Sequence, residues 1–495
     1  MKRSPKPSAP SAGDLLVKLF SPAGHTLFSH TRWFGKRPAV IDDQGSMLTY
    51  ESLDHLCLAQ AVRLIPGQVA LLLCANTLDC LIFYLACHRA YAVPLLMPAD
   101  LGSEQVRRLC EHYHPAVIFC ATARPDLEAL LPGLGRPGKF LLTHWRYEQA
   151  HPDLRLLLST SGSTGALKTV RLSAQNLESN ANSIISYLQL DGRERALTVL
   201  PMHYSYGLSV IHTTLLSGGI LLMTTHSLMQ KQFWDFASEY GATSLSGVPY
   251  TYTMLERLKN PWQKLPKLTT LCQAGGALSV PAIRRVGRLC EESGRRFFVM
   301  YGQTEASPRL SYVPPSRCVE KAGSIGIPIP GVSMSIEEGE LVCRGENIAL
   351  GYAENSADLL LGDDFQGVLY TGDLGFADDE GYFYLTARRN RFVKLYGNRV
   401  SLDECERLLT ERFPQLVSAC VGMDDRLVIC REGKGADGAV PEVKSVQSAE
   451  LKRYLSRTLG LNAKAFLVCE FDTLPRTSSG KLAYAQLMAA LEDQA

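Results

Sequence analysis

Short apolar runs alternate with longer amphipathic segments along most of the chain. The run QVALLLCA (68–75) predicts a buried strand, LDCLIFYLACHRAY (78–91) predicts a helix, and AVPLLM (92–97) predicts the next strand. Similar strand candidates are PAVIFCA (115–121), LRLLLST (154–160), ALTVLPM (196–202), GGILLMTT (218–225), ATSLSGVP (242–249) and RRFFVMYG (295–302). Strands that alternate with helices favour an α/β fold with mostly parallel sheets.

The pattern changes near Gly323. Many Gly and Pro residues then separate short alternating strands in IGIPIPGVSMSIEEGELVCRGENIALGY (325–352), which predicts a small β-rich subdomain. Helix-like and strand-like segments follow to the C-terminus. We predict a hinge near Asn390, and the roughly 100 residues beyond it are long enough for a separate α+β domain.

The N-terminal segment MKRSPKPSAPSAGD predicts a disordered tail, because Pro, Ser and Lys bury too little apolar surface to order it. It lacks the apolar region of a secretory signal. The longest apolar stretch, 79–97, is broken by Cys-His-Arg and Pro94, so we expect no membrane-spanning helix. The predicted organisation is a tail (1–14), a large N-terminal domain (15–389) and a small C-terminal domain (390–495).

The bulk composition is that of an ordinary globular protein, with 46% hydrophobic and 20% charged residues among 495. Lys and Arg total 51 against 49 Asp and Glu, so the charge balance favours neither nucleic acid nor an anionic membrane as partner. The 14 cysteines form no CxxC pair and lie mostly in apolar runs, as Cys74 does. We therefore predict buried, reduced thiols and a cytoplasmic location.

The strongest chemical signal is LLLSTSGSTGALKTV (156–170), where a buried strand runs into small hydroxyl and glycine residues. Glycines allow backbone N–H groups to approach a phosphate, hydroxyls add donors, and a lysine adds positive charge. The spacing of the lysine is not that of a Walker A loop. A flexible surface loop is the other interpretation. The candidate phosphate-binding residues are Thr160, Ser161, Gly162, Ser163, Thr164, Gly165 and Lys168.

This loop resembles the phosphate loop of the adenylate-forming superfamily, which includes acyl-CoA synthetases, peptide-synthetase adenylation domains and luciferases. The usual pattern there is T-S-G-[ST]-T-G-x-P-K-G-V, and here Leu167 and Thr169 replace the Pro and the Gly. Neither replacement removes a donor that faces phosphate. The resemblance extends over roughly residues 25 to 490, since further motifs follow in the superfamily's order.

Two of these motifs belong to the nucleotide site. The resemblance implies that the turn GGAL (275–278), with Gly275, Gly276 and Ala277, lies on the adenine ring. The segment YGQTEAS (301–307) resembles the Y-G-x-T-E signature, which assigns Tyr301 and Gly302 to the same site.

The signature also implies roles for the residues that follow it. Thr304 is expected to bind the α-phosphate and Glu305 to hold Mg²⁺, a hard cation that prefers oxygen ligands. Asp373, in YTGDLGF (370–376), is expected to accept hydrogen bonds from both ribose hydroxyls. Arg388, in TARRNRFVK (386–394), is expected to reach the ribose. The alternative interpretation of Arg388 is that it belongs to a solvated basic strip. For Arg389 and Arg391, that interpretation is the favoured one.

The last two motifs concern the C-terminal domain, which in this superfamily is a mobile lid. RTSSGKLAY (476–484) resembles the loop whose lysine enters the site during adenylation, so Lys481 is expected to be catalytic together with Thr304 and Glu305. An exposed tail lysine is the alternative. Gly397, in YGNRV (396–400), resembles the glycine that lines the thiol tunnel, or belongs simply to a hairpin turn.

The acid pocket is expected around PMHYSYGL (201–208) and SGVPYTYTML (246–255). Tyr204 takes the aromatic gate position, with His203, Gly207, Val248 and Pro249 as further walls. Such a pocket suits an aryl, fatty or other mostly apolar acid. An α-amino acid is disfavoured, because no Asp that could pair its ammonium lies between positions 203 and 212.

The resemblance as a whole implies an acid–thiol ligase. It activates a small carboxylic acid with ATP and Mg²⁺ to an acyl-AMP, releases pyrophosphate, and passes the acyl group to a thiol. Coenzyme A is the favoured acceptor, and the phosphopantetheine arm of an acyl or peptidyl carrier protein is the alternative. A kinase or NTPase, or a non-catalytic nucleotide-binding relative, is the alternative from another class.

Overall fold

The computed structural model describes residues 28–29, 31–130, 140–143, 149–159, 168–389, 391–395, 398–414, 416–423, 426–433, 446–477 and 480–492. The predicted tail (1–14) and the hinge residue Asn390 lie outside these ranges, so the tail and the domain boundaries stay predictions.

The strands, numbered in chain order, are β1 (Pro38–Asp42), β2 (Met47–Thr49), β3 (Val69–Cys74), β4 (Val93–Pro98), β5 (Val117–Cys120), β6 (Phe140–Leu142), β7 (Leu154–Ser159), β8 (Thr169–Ser173), β9 (Arg195–Leu197), β10 (Ile220–Met223), β11 (Ser244–Gly247), β12 (Thr270–Gln273), β13 (Arg296–Gly302), β14 (Arg309–Val313), β15 (Ile327–Pro328), β16 (Val332–Glu337), β17 (Glu340–Gly345), β18 (Gly351–Ala353), β19 (Val368–Ala377), β20 (Phe383–Arg388), β21 (Phe392–Leu395), β22 (Asn398–Ser401), β23 (Ser418–Met423), β24 (Arg426–Glu432) and β25 (Phe466–Phe471).

The α-helices are α1 (Tyr50–Ala61), α2 (Leu78–Arg89), α3 (Ser103–Tyr113), α4 (Pro125–Leu130), α5 (Ala174–Leu188), α6 (Ser205–Leu216), α7 (Lys231–Glu239), α8 (Pro249–Arg257), α9 (Val280–Glu292), α10 (Leu402–Arg412), α11 (Ser448–Leu459) and α12 (Tyr484–Glu492).

The first large sheet has seven strands in the order β18-β8-β7-β4-β3-β5-β6. Its centre is parallel, because β3 pairs in parallel with β4 and β5, and β4 pairs in parallel with β7. Every residue of β3 is buried, as expected for a parallel strand covered on both faces. The strands predicted at 68–75, 92–97, 115–121 and 154–160, and the helix predicted at 78–91, are confirmed.

The second large sheet has nine strands in the order β15-β14-β13-β12-β11-β9-β10-β1-β2. The run from β13 to β1 is parallel, whereas β2, β14 and β15 join it antiparallel. The strands predicted at 196–202, 218–225, 242–249 and 295–302 are confirmed as β9, β10, β11 and β13, with β9 ending already at Leu197. The mixed α/β class is thereby confirmed.

A smaller antiparallel sheet, β16-β17-β19-β20, forms the β-rich part that the Gly- and Pro-containing segment predicts. Its register sets Asp373 of β19 opposite Arg388 of β20.

Beyond β20, the hairpin β21–β22 and the three-stranded sheet β23-β24-β25 pack with helices of the C-terminal part. Two apolar clusters there consist only of residues beyond position 392, so this part has its own core.

All 14 cysteines are free thiols, and all except the half-buried Cys469 are buried, which confirms their predicted role as small core residues. Within the described ranges, none of the helices combines the length and the hydropathy that crossing a bilayer requires.

A fully buried arginine joins the seven-stranded sheet to the segment that follows β17. The Arg171 guanidinium on β8 donates to the carbonyls of Tyr352 and Gly362 at 2.9 Å each, and of Leu350 at 3.3 Å. It also pairs with Asp364. Because the acceptors lie on β18 and the loop beyond it, one side chain holds this segment in position.

We predict that Arg171→Met lowers the free energy of unfolding by about 3–5 kcal/mol, because it leaves buried carbonyls and a carboxylate without their cation. Urea unfolding followed by circular dichroism measures the change. Arg193→Met is the matched control, because Arg193 forms an exposed ion pair with Asp191, and we expect no measurable effect. Equal effects of the two substitutions would contradict the assigned role of Arg171.

Candidate active site

The predicted phosphate-loop residues Thr160, Ser161, Gly162, Ser163, Thr164 and Gly165 lie outside the described residues. The strands on either side are described, and Ser159 of β7 pairs with Thr169 of β8. Lys168, directly before β8, has its Nζ 3.5 Å from the centre of the Tyr352 ring, which is a cation–π contact. The hydroxyl of Tyr352 donates to Oε1 of Glu305 at 3.0 Å. Lys168 thus lies over the ring of Tyr352, and Glu305 lies at the hydroxyl of the same residue.

The carboxylate of Asp373 is buried and held from three directions. Arg388 Nε donates to Oδ1 at 3.0 Å, Gln303 Nε2 donates to Oδ2 at 2.9 Å, and the Tyr301 hydroxyl also donates to Oδ2. Burial and the adjacent Asp373 raise the pKa of Tyr301, so this phenol remains a neutral donor. The three donors fix the orientation of the carboxylate.

Gln303 is a site residue that sequence reasoning missed. Its side chain also donates to the carbonyl of Thr371 at 3.0 Å, so it ties the end of β13 to β19. Its position inside YGQTE, between Tyr301 and Thr304, was the available signal. The superfamily pattern has no fixed residue at that position, so the motif itself assigns no role to the glutamine.

The turn after β12 approaches the predicted acid pocket. Gly275 has a φ of +80°, and a Cβ there would lie 2.3 Å from the Tyr204 hydroxyl and 3.2 Å from Val248 Cγ1. A Cβ on Gly276 would lie 3.2 Å from Pro249 Cγ. The structure therefore brings the predicted adenine turn against three predicted pocket residues, with no room for a side chain at Gly275. Ala277 is exposed on the same turn.

Two predicted glycines are required by close backbone approach. A Cβ on Gly302 would lie 1.8 Å from the carbonyl oxygen of Pro308, and one on Gly207 would lie 2.3 Å from that of Pro201. Gly207 is buried in α6 and faces this backbone, so its packing explains the glycine. Thr304, just beyond Gly302, has its hydroxyl 3.1 Å from that of Ser205 at the start of α6.

Lys481 reaches this site from the C-terminal part of the chain. Its Nζ lies 4.8 Å from the centre of the Tyr204 ring. Burial lowers the pKa of Lys481 to about 8; the positive charge of Arg388 acts in the same direction, and the carboxylate of Glu305 opposes both. Residues of three distant segments therefore interact with one ammonium group.

The loop that carries Lys481 packs against residues of the predicted acid pocket. Gly480 has a φ of +80°, and a Cβ there would lie 3.1 Å from Val248 Cγ2. The Arg476 guanidinium lies over the Tyr250 ring at 4.4 Å. Lys481 itself is held by its backbone, whose N–H donates to the Thr477 hydroxyl at 3.2 Å.

Three other predicted residues have different surroundings. His203 is partly buried, and burial lowers its pKa to about 4 although Asp100 opposes the shift, so it is neutral at pH 7. Arg389 pairs with Glu340 while most of its side chain stays exposed, consistent with a basic strip. The prediction that Arg391 also belongs to a solvated basic strip is wrong.

Arg391 is held inside the C-terminal part because acidic residues of α10 surround it. It pairs with Asp403 and Glu406, and its guanidinium lies 4.0 Å from the centre of the Tyr484 ring. The predicted thiol-tunnel residue Gly397 lies outside the described residues.

The family model for AMP-binding enzymes matches residues 28–353, about two thirds of the chain. The chain belongs to the AMP-binding enzyme family. Among its relatives, oxalate–CoA ligase of Arabidopsis thaliana is 26% identical over 480 residues, covering 88% of this chain and 92% of the relative. The 2-succinylbenzoate–CoA ligase of Bacillus subtilis is 28% identical over 354 residues, covering 68% of each.

Solved structures share the fold of this AMP-binding enzyme. The o-succinylbenzoate CoA synthetase of Bacillus subtilis, in complex with its acyl-adenylate intermediate, superposes with a TM-score of 0.74 at 21% identity. The match covers 94% of this chain and 98% of that structure. Another structure, ATP-bound MatB from Rhodopseudomonas palustris, has a TM-score of 0.72 at 22% identity and covers 97% and 99% of the two chains.

We predict that Gly275→Ala weakens ATP binding at least tenfold, because the new methyl group displaces Tyr204 and the turn at the site. Calorimetric titration with ATP measures the dissociation constant. Gly294→Ala is the matched control, since Gly294 also has a positive φ of +66° but nothing within 4 Å of the new methyl group. If Gly275→Ala bound ATP as tightly as Gly294→Ala, the assigned role of the contact with Tyr204 would be wrong.

Proposed function

We propose that this AMP-binding enzyme is an ATP-dependent acid–thiol ligase of the acyl-CoA synthetase type. The observation that carries the proposal is the convergence on Lys481, whose ammonium lies beside Tyr204 and within the electrostatic reach of Glu305 and Arg388. Arg388 is in turn bonded to Asp373. Lys481, the proposed metal ligand Glu305 and the proposed ribose ligand Asp373 therefore share one site.

The first half-reaction joins the acid to AMP. A carboxylate oxygen of the acid attacks the α-phosphorus of ATP, and the bond from that phosphorus to the bridging oxygen breaks to release pyrophosphate. Negative charge grows on the phosphate oxygens during the step. Lys481 and Lys168 offset it as cations, and the Thr304 hydroxyl donates a hydrogen bond, so the stabilising groups are in position before the reaction.

Asp373 and Glu305 divide the remaining tasks. Asp373 accepts the ribose hydroxyls, since a carboxylate has about four lone-pair sites and its three protein donors leave capacity. Tyr352 donates to one oxygen of Glu305, and a carboxylate together with ATP oxygens is a donor set that would fit Mg²⁺. Mg²⁺ bound there supplies further positive charge beside the phosphates.

The second half-reaction transfers the acyl group to a thiol with release of AMP. We propose coenzyme A as the acceptor, supported by the relatives whose names specify CoA ligases. Residues 390–495 act as the lid that carries Lys481 away and brings Gly397 to the site. A phosphopantetheine arm of a carrier protein presents the same thiol and is the second candidate acceptor.

The acid lies against Tyr204, Val248 and Pro249, with His203 nearby as a neutral side chain. These residues favour an acid with a mostly apolar body. A non-catalytic nucleotide-binding role is the other class considered, and it gives no reason for a lysine with a lowered pKa beside the site. Carboxylate-dependent exchange of labelled pyrophosphate into ATP separates the two and tests the proposal directly.

We predict that Lys481→Ala lowers the rate of adenylation by about 10²–10³, because one preorganised charge contact is lost. Thioester formation from pre-made acyl-AMP changes much less, since Lys481 has left the site by then. Single-turnover assays of each half-reaction measure the difference. Lys231→Ala, which removes a highly exposed lysine paired with Asp235, serves as control. Equal losses in both half-reactions would refute the assignment.

We predict that kcat/KM for ATP in the exchange reaction falls as pH rises through about 8, where Lys481 loses its proton. The sign follows from the lowered pKa: the ammonium form is complete well below this value and decreases tenfold per unit above it. Lys481→Arg keeps its charge at all these pH values. We therefore expect this variant to catalyse exchange more slowly than the wild type, but without the fall in kcat/KM near pH 8. A fall that persists unchanged in Lys481→Arg excludes Lys481 as its source.

A further inference from the structure

A buried arginine without a carboxylate partner lies behind the proposed acid pocket. Arg309 begins β14, and the register of the sheet sets it opposite Gly302 at the end of the signature strand β13. It is only 3% exposed. No acidic side chain within the described ranges forms an ion pair with it. A buried charge is unfavourable unless it is paired or well hydrogen-bonded.

Among the described residues, the contacts of the Arg309 guanidinium leave its buried Nε without a hydrogen-bond partner. Nη1 donates to the Tyr187 hydroxyl in a long bond of 3.4 Å, and the guanidinium lies 4.3 Å from the centre of the Tyr206 ring. An arginine carries five N–H donors in a planar fork that matches a carboxylate.

Arg171 is the other arginine among the described residues that is almost completely buried, and carbonyls and a carboxylate satisfy its guanidinium, whereas Arg296 is half-buried. Arg171 bonds four carbonyls and Asp364, and Arg296 bonds the Leu188 carbonyl at 2.9 Å and the Thr270 hydroxyl at 2.8 Å. Arg309 differs, because the side chain of Asn180 bonds its backbone, while its guanidinium makes the long hydrogen bond to Tyr187. A purely structural role therefore does not account for its side chain.

A continuous row of side chains connects Arg309 to the reacting end of the site. Lys481 Nζ lies 4.8 Å from the Tyr204 ring, the rings of Tyr204 and Tyr206 are 6.3 Å apart, and Arg309 lies over Tyr206. Burial raises the pKa of Tyr204 and Tyr206, while Arg309 opposes the shift in both, so both remain neutral hydroxyls. The guanidinium of Arg309 supplies a positive charge at the far end of this row.

The geometry points to a second anionic group on the substrate, and we propose that Arg309 binds it. The enzyme then activates dicarboxylic acids: one carboxylate reacts at Lys481, and the other, across an apolar or aromatic body, pairs with Arg309. This inference rests on the proposed ligase function and refines it, since the sequence alone predicts a mostly apolar acid. Arg309 thus determines specificity and takes no part in bond making.

The test compares acids that differ only in their far end. Pyrophosphate exchange is measured with dicarboxylic acids of increasing length, linear and aryl, and with the matching monocarboxylic acids that carry a methyl group instead. We expect kcat/KM of the preferred dicarboxylic acid to exceed that of its monocarboxylic partner by about 30-fold or more, as for a buried charge pair. In Arg309→Met the two acids become equal within a few-fold.

Two variants and a binding measurement guard against misfolding. Arg309→Lys keeps the charge and retains part of the preference, and Arg296→Met removes another partly buried arginine and retains all of it. The preferred dicarboxylic acid raises the melting temperature of the wild type but not of Arg309→Met.

The outcomes separate the two proposals. Exchange with monocarboxylic acids that equals or exceeds exchange with dicarboxylic acids overturns the role of Arg309 and leaves the ligase function intact. If Arg309→Met lowers kcat/KM equally for both acids, Arg309 has a structural role, and this result also overturns its proposed role in specificity. If no acid of either series elicits exchange, the proposed function fails, and the inference with it.

Discussion

The buried carboxylate of Asp373 is the constraint on which the site depends. It accepts hydrogen bonds from Tyr301 and Gln303 at the end of the nine-stranded sheet and from Arg388 in the four-stranded sheet. A buried carboxylate is unfavourable without such partners, so the two sheets are held in one relative arrangement. That arrangement also fixes the position of Thr304 and Glu305, which follow the end of β13.

A second constraint is electrostatic and involves the C-terminal part of the chain. Lys481 lies in a partly dry site where Arg388 repels it and Glu305 attracts it, and burial lowers its pKa to about 8. Such an ammonium gains more from an incoming triphosphate than a solvated lysine does, because a low local dielectric strengthens the attraction.

Several features of the site were predictable from the sequence, because they depend on residues close together along the chain. The alternation of apolar runs predicted β3, α2, β4 and most of the strands that follow. The order of GGAL, YGQTEAS, YTGDLGF and RTSSGKLAY predicted which residues share a site, and the structure brings Gly275, Asp373, Arg388 and Lys481 into one region.

Other features were not predictable, because they depend on packing between distant segments. Gln303 stands at a variable position of its motif, and only its contacts with Asp373 and Thr371 reveal a function. Arg391 belongs to the same basic run as Arg388, yet acidic residues of α10 draw it into the C-terminal core.

The sequence by itself determined the chemistry that is available: the small hydroxyl and glycine residues of the predicted phosphate loop, Lys481, and the α/β class that follows from local periodicity. Only the tertiary structure decided the environment of each charge. Arg171 and Arg309 are both buried arginines, but carbonyls satisfy one, and the Nε of the other has no partner among the described residues. The contacts of these two guanidinium groups join residues more than a hundred positions apart, and no local pattern records them.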